Sequence, residues 1–345
     1  DHAVEIDEHP LGLSQAFHAG LDAGVRLNAG HDGLVERVVA RAAVGRAREC
    51  AAEAIDARFG TGENNETTIT SVLAETQVRV RDAERLAFGS RLDRGPDGVA
   101  TLTLNRPHSF NALSSELMTA LQTELDRLMT DEVTRVVILA GAGRAFCAGH
   151  DLREMRDDPG PEPMEAMFTQ CSRIMTTLTK IPQPVIAKVH GSAAAAGCQL
   201  VAQCDLAICA EDTKFGTSGV NLGLFCSTPM VAVTRNLPRK QAMEMLMTGD
   251  LIDASMAERW GLVNRVVPKS QLDTAIDDLA GKIASKSRSA VSRGKKLFYT
   301  QIERGLEAAY AEATQAITSN MQDNDARAGI DAFIDKQPMP MWEDK

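Results

Sequence analysis

Aromatic residues are scarce. Two Trp, two Tyr and ten Phe make up 4% of the 345 residues, so the core must be packed from aliphatic side chains and no aromatic-lined specificity pocket is legible. Long apolar runs are missing too: the longest, Ala193 to Ala210, is interrupted by Gln199, Gln203 and Asp205 and is too polar to span a membrane. Positive charge is not in excess. A net charge of -10 argues against nucleic acid or an anionic membrane as the main partner. The seven cysteines are odd in number and show no CxxC spacing, so neither a disulfide framework nor a metal site is expected, only reduced, buried thiols. Walker A, HExxH and GxSxG patterns are absent, which excludes the common nucleotide, zinc-protease and hydrolase readings. Gly141-Ala-Gly143 follows an apolar strand, but a dinucleotide fingerprint needs a third glycine where Phe146 stands. The chain opens Asp-His-Ala-Val-Glu, with no basic stretch leading into an apolar one. No secretory signal is expected. The expected compartment is the cytoplasm, with the mitochondrial matrix as the alternative in a eukaryote.

What is present, 44% apolar and 24% charged residues over a chain long enough for a sizeable core, describes a globular protein in unequal parts. Residues 1–85 are rich in Ala, Arg and Glu around Leu34–Phe59, with Leu34, Val38, Ala42 and Ile55 near helical spacing, and predict a helical extension of unknown role. Residues 86–280 alternate strands and helices. Val99–Leu104, Val136–Ala140, Val185–Val189 and Leu206–Ala210 predict strands. Ser114 or Ser115 caps a helix bearing Leu117, Leu121, Leu125 and Leu128, and Thr228-Pro229 supplies a cap and a first-turn proline to another. Residues 281–345 form a helical tail. The alternation implies an α/β domain with buried parallel strands, without separating a doubly wound sheet from a spiral of ββα turns.

Two loops carry the chemistry. Ala145-Phe-Cys-Ala-Gly-His-Asp-Leu152 and Gly191-Ser-Ala-Ala-Ala-Ala-Gly-Cys-Gln-Leu200 each follow an apolar strand with small residues and open a helix. A helix start presents unpaired N–H groups, and small residues let a ligand approach the backbone. Two such donors converging on one oxygen would stabilise an oxyanion. Taken singly, each loop reads more readily as a tight strand-to-helix turn with close packing.

Together with NRPHSFNALSSEL (105–117), CDLAICAEDTKFG (204–216), GVNLGLFCSTP (219–229) and ASMAERWGLVNRVVP (254–268), these loops resemble the enoyl-CoA hydratase/isomerase, or crotonase, superfamily. Within it they are similar to the enoyl-CoA hydratase domain-containing protein 3 group. The resemblance implies a ββα spiral core, a C-terminal helical trimerisation region, a homotrimer or dimer of trimers, and an acyl-coenzyme A thioester as substrate with no permanently bound cofactor. It places the oxyanion N–H donors at His150 and Ala196. It places Phe146, Ala148, Gly149, Gly197 and Gly219 along the CoA and acyl path, and Lys295 within reach of a CoA phosphate.

Hydratases of the family carry two glutamates where this chain has Gln199 and Gly219. Hydration needs a base for water and an acid for the α-carbon, and neither residue titrates usefully. Three readings stay open. They are an enolate-forming acyl-CoA enzyme of the hydratase/isomerase family, a decarboxylase-like enzyme that needs no base, and an acyl-CoA-binding protein without turnover. The resemblance to decarboxylases of the superfamily implies that Cys226 lies where a polar side chain faces the substrate; it is either a buried small hydrophobe or a thiolate favoured by a helix N-terminus. The His150 imidazole is either packed toward solvent or a substrate contact. Asp151 is expected to cap a helix, and Asp205, His108 and His190 to be structural.

Overall fold

In the computed structural model, Arg85–Lys345 form one compact unit, of which residues 89–95 and 97–343 are described. The helical extension expected over 1–85 lies outside the described residues. The main sheet has six strands in the order β1-β2-β3-β4-β6-β9. They are β1 (Gly89–Arg94), β2 (Val99–Asn105), β3 (Val136–Gly141), β4 (Val185–Val189), β6 (Leu206–Ala210) and β9 (Arg265–Val267). β1 pairs antiparallel with β2, and the remaining pairs are parallel.

A second, three-stranded sheet decides between the two architectures left open by the sequence. It comprises β5 (Ser192–Ala194), β7 (Lys214–Gly216) and β8 (Ile252–Asp253), in the order β5-β7-β8. β4 thus runs into β5 and then helix α4 (Ala196–Gln203), while β6 runs into β7. Strand, short strand, helix is the turn of a ββα spiral. β3 follows the same rule in reduced form: Cys147, beyond its end, makes a parallel bridge to Ala193 of β5.

β3 is buried on both faces, which is why it reads as a continuous apolar run. Val137 and Leu139 join the large cluster containing Leu117, Leu121 and Leu125 of α1 (Ser115–Leu128) and Ile174 and Leu178 of α3 (Pro161–Lys180). Val136 and Ile138 face the opposite way, onto Leu272, Ile276 and Ala280 of α8 (Leu272–Ala284). The short α2 (Leu152–Asp157) links the first loop to α3. The aliphatic core expected from the scarcity of rings is what forms.

Of the two expected caps of α1, Ser114 takes the role, its Oγ accepting from Leu117 N–H. Two other helix starts differ from those expected. Helix α5 (Ser227–Asn236) begins earlier than Thr228-Pro229 suggests, with Cys226 as its N-cap, so Pro229 sits third in the helix. There its missing N–H is still one of the four without an intrahelical acceptor. The stretch from Ala193 is also not helical until Ala196, because Ser192–Ala194 are claimed by the second sheet.

After α6 (Arg239–Thr248) and α7 (Ala254–Trp260), the chain ends in α9 (Arg288–Gln301), α10 (Leu306–Asn320) and α11 (Asn324–Ile334). None of α10 is buried, and Leu306 (75% exposed), Tyr310, Ile317, Phe333 (76%) and Ile334 present apolar surface to solvent. No described helix is long and apolar enough to cross a membrane.

Candidate active site

The two loops meet behind the ends of β3 and β4. Gly149 has φ +97°, and a Cβ built there would lie 2.9 Å from Ala195 Cβ and 3.3 Å from Ala196 N. Gly197 is required for a different reason: a Cβ would stand 2.1 Å from Cys147 O. Its open side is filled by the first loop, so it serves the crossing of the two loops and does not line a ligand path as expected.

The direction of each N–H follows from the partner of the carbonyl in the same peptide, because a trans peptide points the two groups oppositely. Gly149 O accepts from Leu113 N–H at 2.7 Å, which turns His150 N–H away from Leu113. Ala195 O accepts from Gln199 N–H at 3.0 Å, inside α4, which turns Ala196 N–H out of the helix start. Among the described residues neither N–H has a hydrogen-bond acceptor. Ala195 holds φ +48° and ψ -116°, a region that disfavours any residue but glycine, while its N–H is anchored on Gly216 O at 2.8 Å. Backbone strain is concentrated at this one junction of the second loop.

Asn111, which the sequence reading passed over, fixes the first loop. Fully buried and at φ +55°, it directs Nδ2 to Ala142 O, Ala145 O and Phe146 O at 2.8, 2.8 and 3.1 Å. Its Oδ1 accepts from Arg106 N–H at 2.9 Å. Arg106 in turn donates to Ala112 O at 2.6 Å and pairs with Asp151 at 3.0 Å. Asp151 also caps α2 through Arg153 N–H, as expected. The available signal was an Asn after the turn of 105–111, since Asn tolerates left-handed backbone better than most residues.

Around the two N–H groups the side chains are neutral. Gln199 is 3% exposed, and its Oε1 is buried without a partner. The His150 ring does not pack toward solvent. Both ring nitrogens are buried and unpartnered, and the ring meets Phe168 of α3 edge-on at 5.2 Å between centroids. Burial lowers its basicity below the ordinary value of 6.5, so the imidazole is neutral at pH 7. Cys226 is buried, and its Sγ accepts from Gly219 N–H at 3.3 Å. Burial pushes this thiol up in pKa and outweighs the Gly219 N–H that favours the charged form, which supports the neutral-thiol reading over the thiolate. All six described cysteines are buried free thiols.

Two other expectations are corrected. Phe146 is fully buried within the large cluster and offers its ring to no ligand path, whereas Ala148 is exposed on the loop. Lys295 is 9% exposed and committed inside the chain: Nζ donates to Leu178 O and Gln183 O, both at 2.8 Å, and pairs with Asp205 at 2.7 Å. All three ammonium protons are taken, leaving none for a phosphate. Asp205 also accepts from Val185 N–H at 2.6 Å and Tyr299 O–H at 2.7 Å, the structural role expected of it.

Known proteins share this fold. Residues 94–345 match the family model described as enoyl-CoA hydratase/isomerase. The chain is 43% identical over 249 residues to the mitochondrial enoyl-CoA hydratase domain-containing protein 3 of Mus musculus, covering 72% of this chain and 83% of the relative. A crystal structure of an enoyl-CoA hydratase from Mycobacterium smegmatis is 50% identical, with TM-score 0.72, over 73% of this chain and 98% of the other. The crystal structure of human enoyl coenzyme A hydratase domain-containing protein 3 is 41% identical, with TM-score 0.70, over 73% and 99%. Fold and relatives agree: the chain belongs to the enoyl-CoA hydratase/isomerase (crotonase) family, in the domain-containing protein 3 group.

Proposed function

We propose that the protein binds acyl-CoA thioesters and stabilises their enolates through the N–H groups of His150 and Ala196, without the pair of carboxylates that hydratases of the family use. The observation carrying this reading is the pair of acceptor-free peptide N–H groups brought together where Gly149 packs on Ala195 and Ala196. Preorganised donors of this kind favour the form of the substrate in which the carbonyl oxygen becomes negative. Gln199 and Gly219 supply neither general acid nor general base. Hydration is therefore disfavoured against reactions that need only the enolate, of which decarboxylation of a malonyl-type thioester is one. The exposed apolar surface of α10 and α11 fits burial against further copies in a homotrimer or dimer of trimers. The cytoplasmic expectation draws no support from the relatives of the domain-containing protein 3 group, which are named as mitochondrial; in a eukaryotic cell the matrix is the proposed compartment.

The deciding experiment follows crotonyl-CoA hydration as loss of enone absorbance, with CoA affinity measured on the same sample. Binding with little or no hydration is expected. Rapid hydration would overturn the proposed lack of acid–base groups, and absence of CoA binding would overturn the whole reading.

A further inference from the structure

We infer that the His150 imidazole is the proton-transferring group of this site, taking the α-proton of the acyl thioester whose carbonyl its own backbone N–H holds. The inference rests on the enolate-stabilising role proposed above and adds a catalytic side chain to it.

Three observations converge. First, His150 carries a titratable ring on the same residue whose backbone N–H has no acceptor at the loop junction. Second, both ring nitrogens are buried with no hydrogen bond of good geometry among the described residues, the Leu113 carbonyl being the one acceptor near the ring, although burying an imidazole so poorly satisfied costs stability. Such an orphan calls for a partner, and a bound substrate would supply one. Third, the other polar groups of the site are unsuited or engaged. Cys226 stays a thiol, Gln199 does not titrate, and Asp151 is committed to Arg106 and to the cap of α2.

The charged and titratable groups near the ring are few. Glu154 of α2 favours the imidazolium through its charge, while its Oε2 accepts from Ser115 N–H and Oγ at 2.9 and 3.0 Å. α3 contributes the uncharged Phe168, and the 113–114 segment contributes the Leu113 carbonyl. The ring is thus held neutral, with Glu154 near enough to stabilise the charge that proton transfer creates.

The step balances within the site. The α-C–H bond breaks, its proton passes to the imidazole nitrogen, and the electron pair moves into the enolate, placing negative charge on the oxygen held by His150 and Ala196 N–H. Return of the proton regenerates the neutral ring.

The test is deuterium incorporation at C2 of butyryl-CoA in deuterium oxide, read by mass spectrometry on the full chain. Native protein is expected to exchange, with a rate that rises with pH through a value below 6.5 and is flat above. His150→Gln keeps the backbone N–H and removes the base, so it is expected to lose about 100-fold in exchange at unchanged CoA affinity. Native exchange that does not fall below pH 6.5, or His150→Gln exchange equal to native, would overturn the assignment. If native protein binds butyryl-CoA but exchanges nothing, the imidazole role fails and acyl-CoA binding stands. If it does not bind, the underlying reading fails as well. Should His150→Gln not fold, the native pH profile alone decides.

Discussion

The sulfur of Cys226 occupies the volume into which a side chain at position 219 would grow. A Cβ built on Gly219 would lie 2.7 Å from Sγ and 2.8 Å from Leu224 O. The sulfur also takes the Gly219 N–H, so the two residues are fitted to each other. Installing a carboxylate at 219 therefore means evicting a thiol. Gly219→Glu alone is expected to cost about 1–3 kcal/mol through overpacking and to yield no hydratase. Hydration of crotonyl-CoA is expected only when Gln199→Glu and Gly219→Glu are combined with Cys226→Gly. If Gln199→Glu/Gly219→Glu proves as active and as stable as the triple variant, the reciprocal fit is refuted.

Ala196→Pro deletes one proposed donor at the first position of α4, where helices tolerate proline. Turnover or enolisation is expected to fall about 100- to 1000-fold while CoA still binds. Unchanged rates in this variant would remove Ala196 from the site.

Lys295 is a fastener between α9 and the core. Lys295→Met leaves Asp205 without its cation and is expected to cost about 3–5 kcal/mol. Thermal unfolding should shift down, with the CoA affinity of the folded fraction unchanged. A selective loss of CoA affinity at native stability would reinstate the phosphate role.

His150 also predicts an acid sensitivity. Its folded-state basicity lies below that of the unfolded chain, so between that lowered value and 6.5 the unfolded chain binds more protons. Stability therefore rises with pH across this window and is lost as pH falls through it. Urea unfolding at a series of pH values should show this slope in the native chain and a shallower one in His150→Gln.

The exposed apolar residues of the tail give a prediction about assembly. Leu306→Glu with Phe333→Glu is expected to yield monomers by light scattering, where the native chain is expected to give a trimer or a dimer of trimers. A native chain that is itself monomeric at micromolar concentration contradicts the proposed assembly.

Much of this was legible in the sequence because local chemistry and tertiary placement agreed. Val185–Val189 and Leu206–Ala210 are strands with those same limits, since buried parallel strands are apolar from end to end. The loop pair was legible because only small residues allow backbones to approach as Gly149 and Ala195 do. Lys295 was misplaced because a resemblance carries over a position in the C-terminal helices without showing that Leu178, Gln183 and Asp205 wait beneath it. Phe146 was misplaced because a loop motif does not say which of its side chains points inward. The Cys226–Gly219 pairing spans seven residues of irregular chain, where no period constrains which atoms meet.

The proposed carbonyl-binding groups belong to the main chain, held in place by Asn111 on one side and by the Ala195 anchor on Gly216 on the other. Side chains at 150, 199, 219 and 226 are thereby released from holding the thioester. Chemistry can be rewritten at those four positions while the socket for the carbonyl is inherited intact, making this scaffold a natural starting point for new reactions on an old substrate handle.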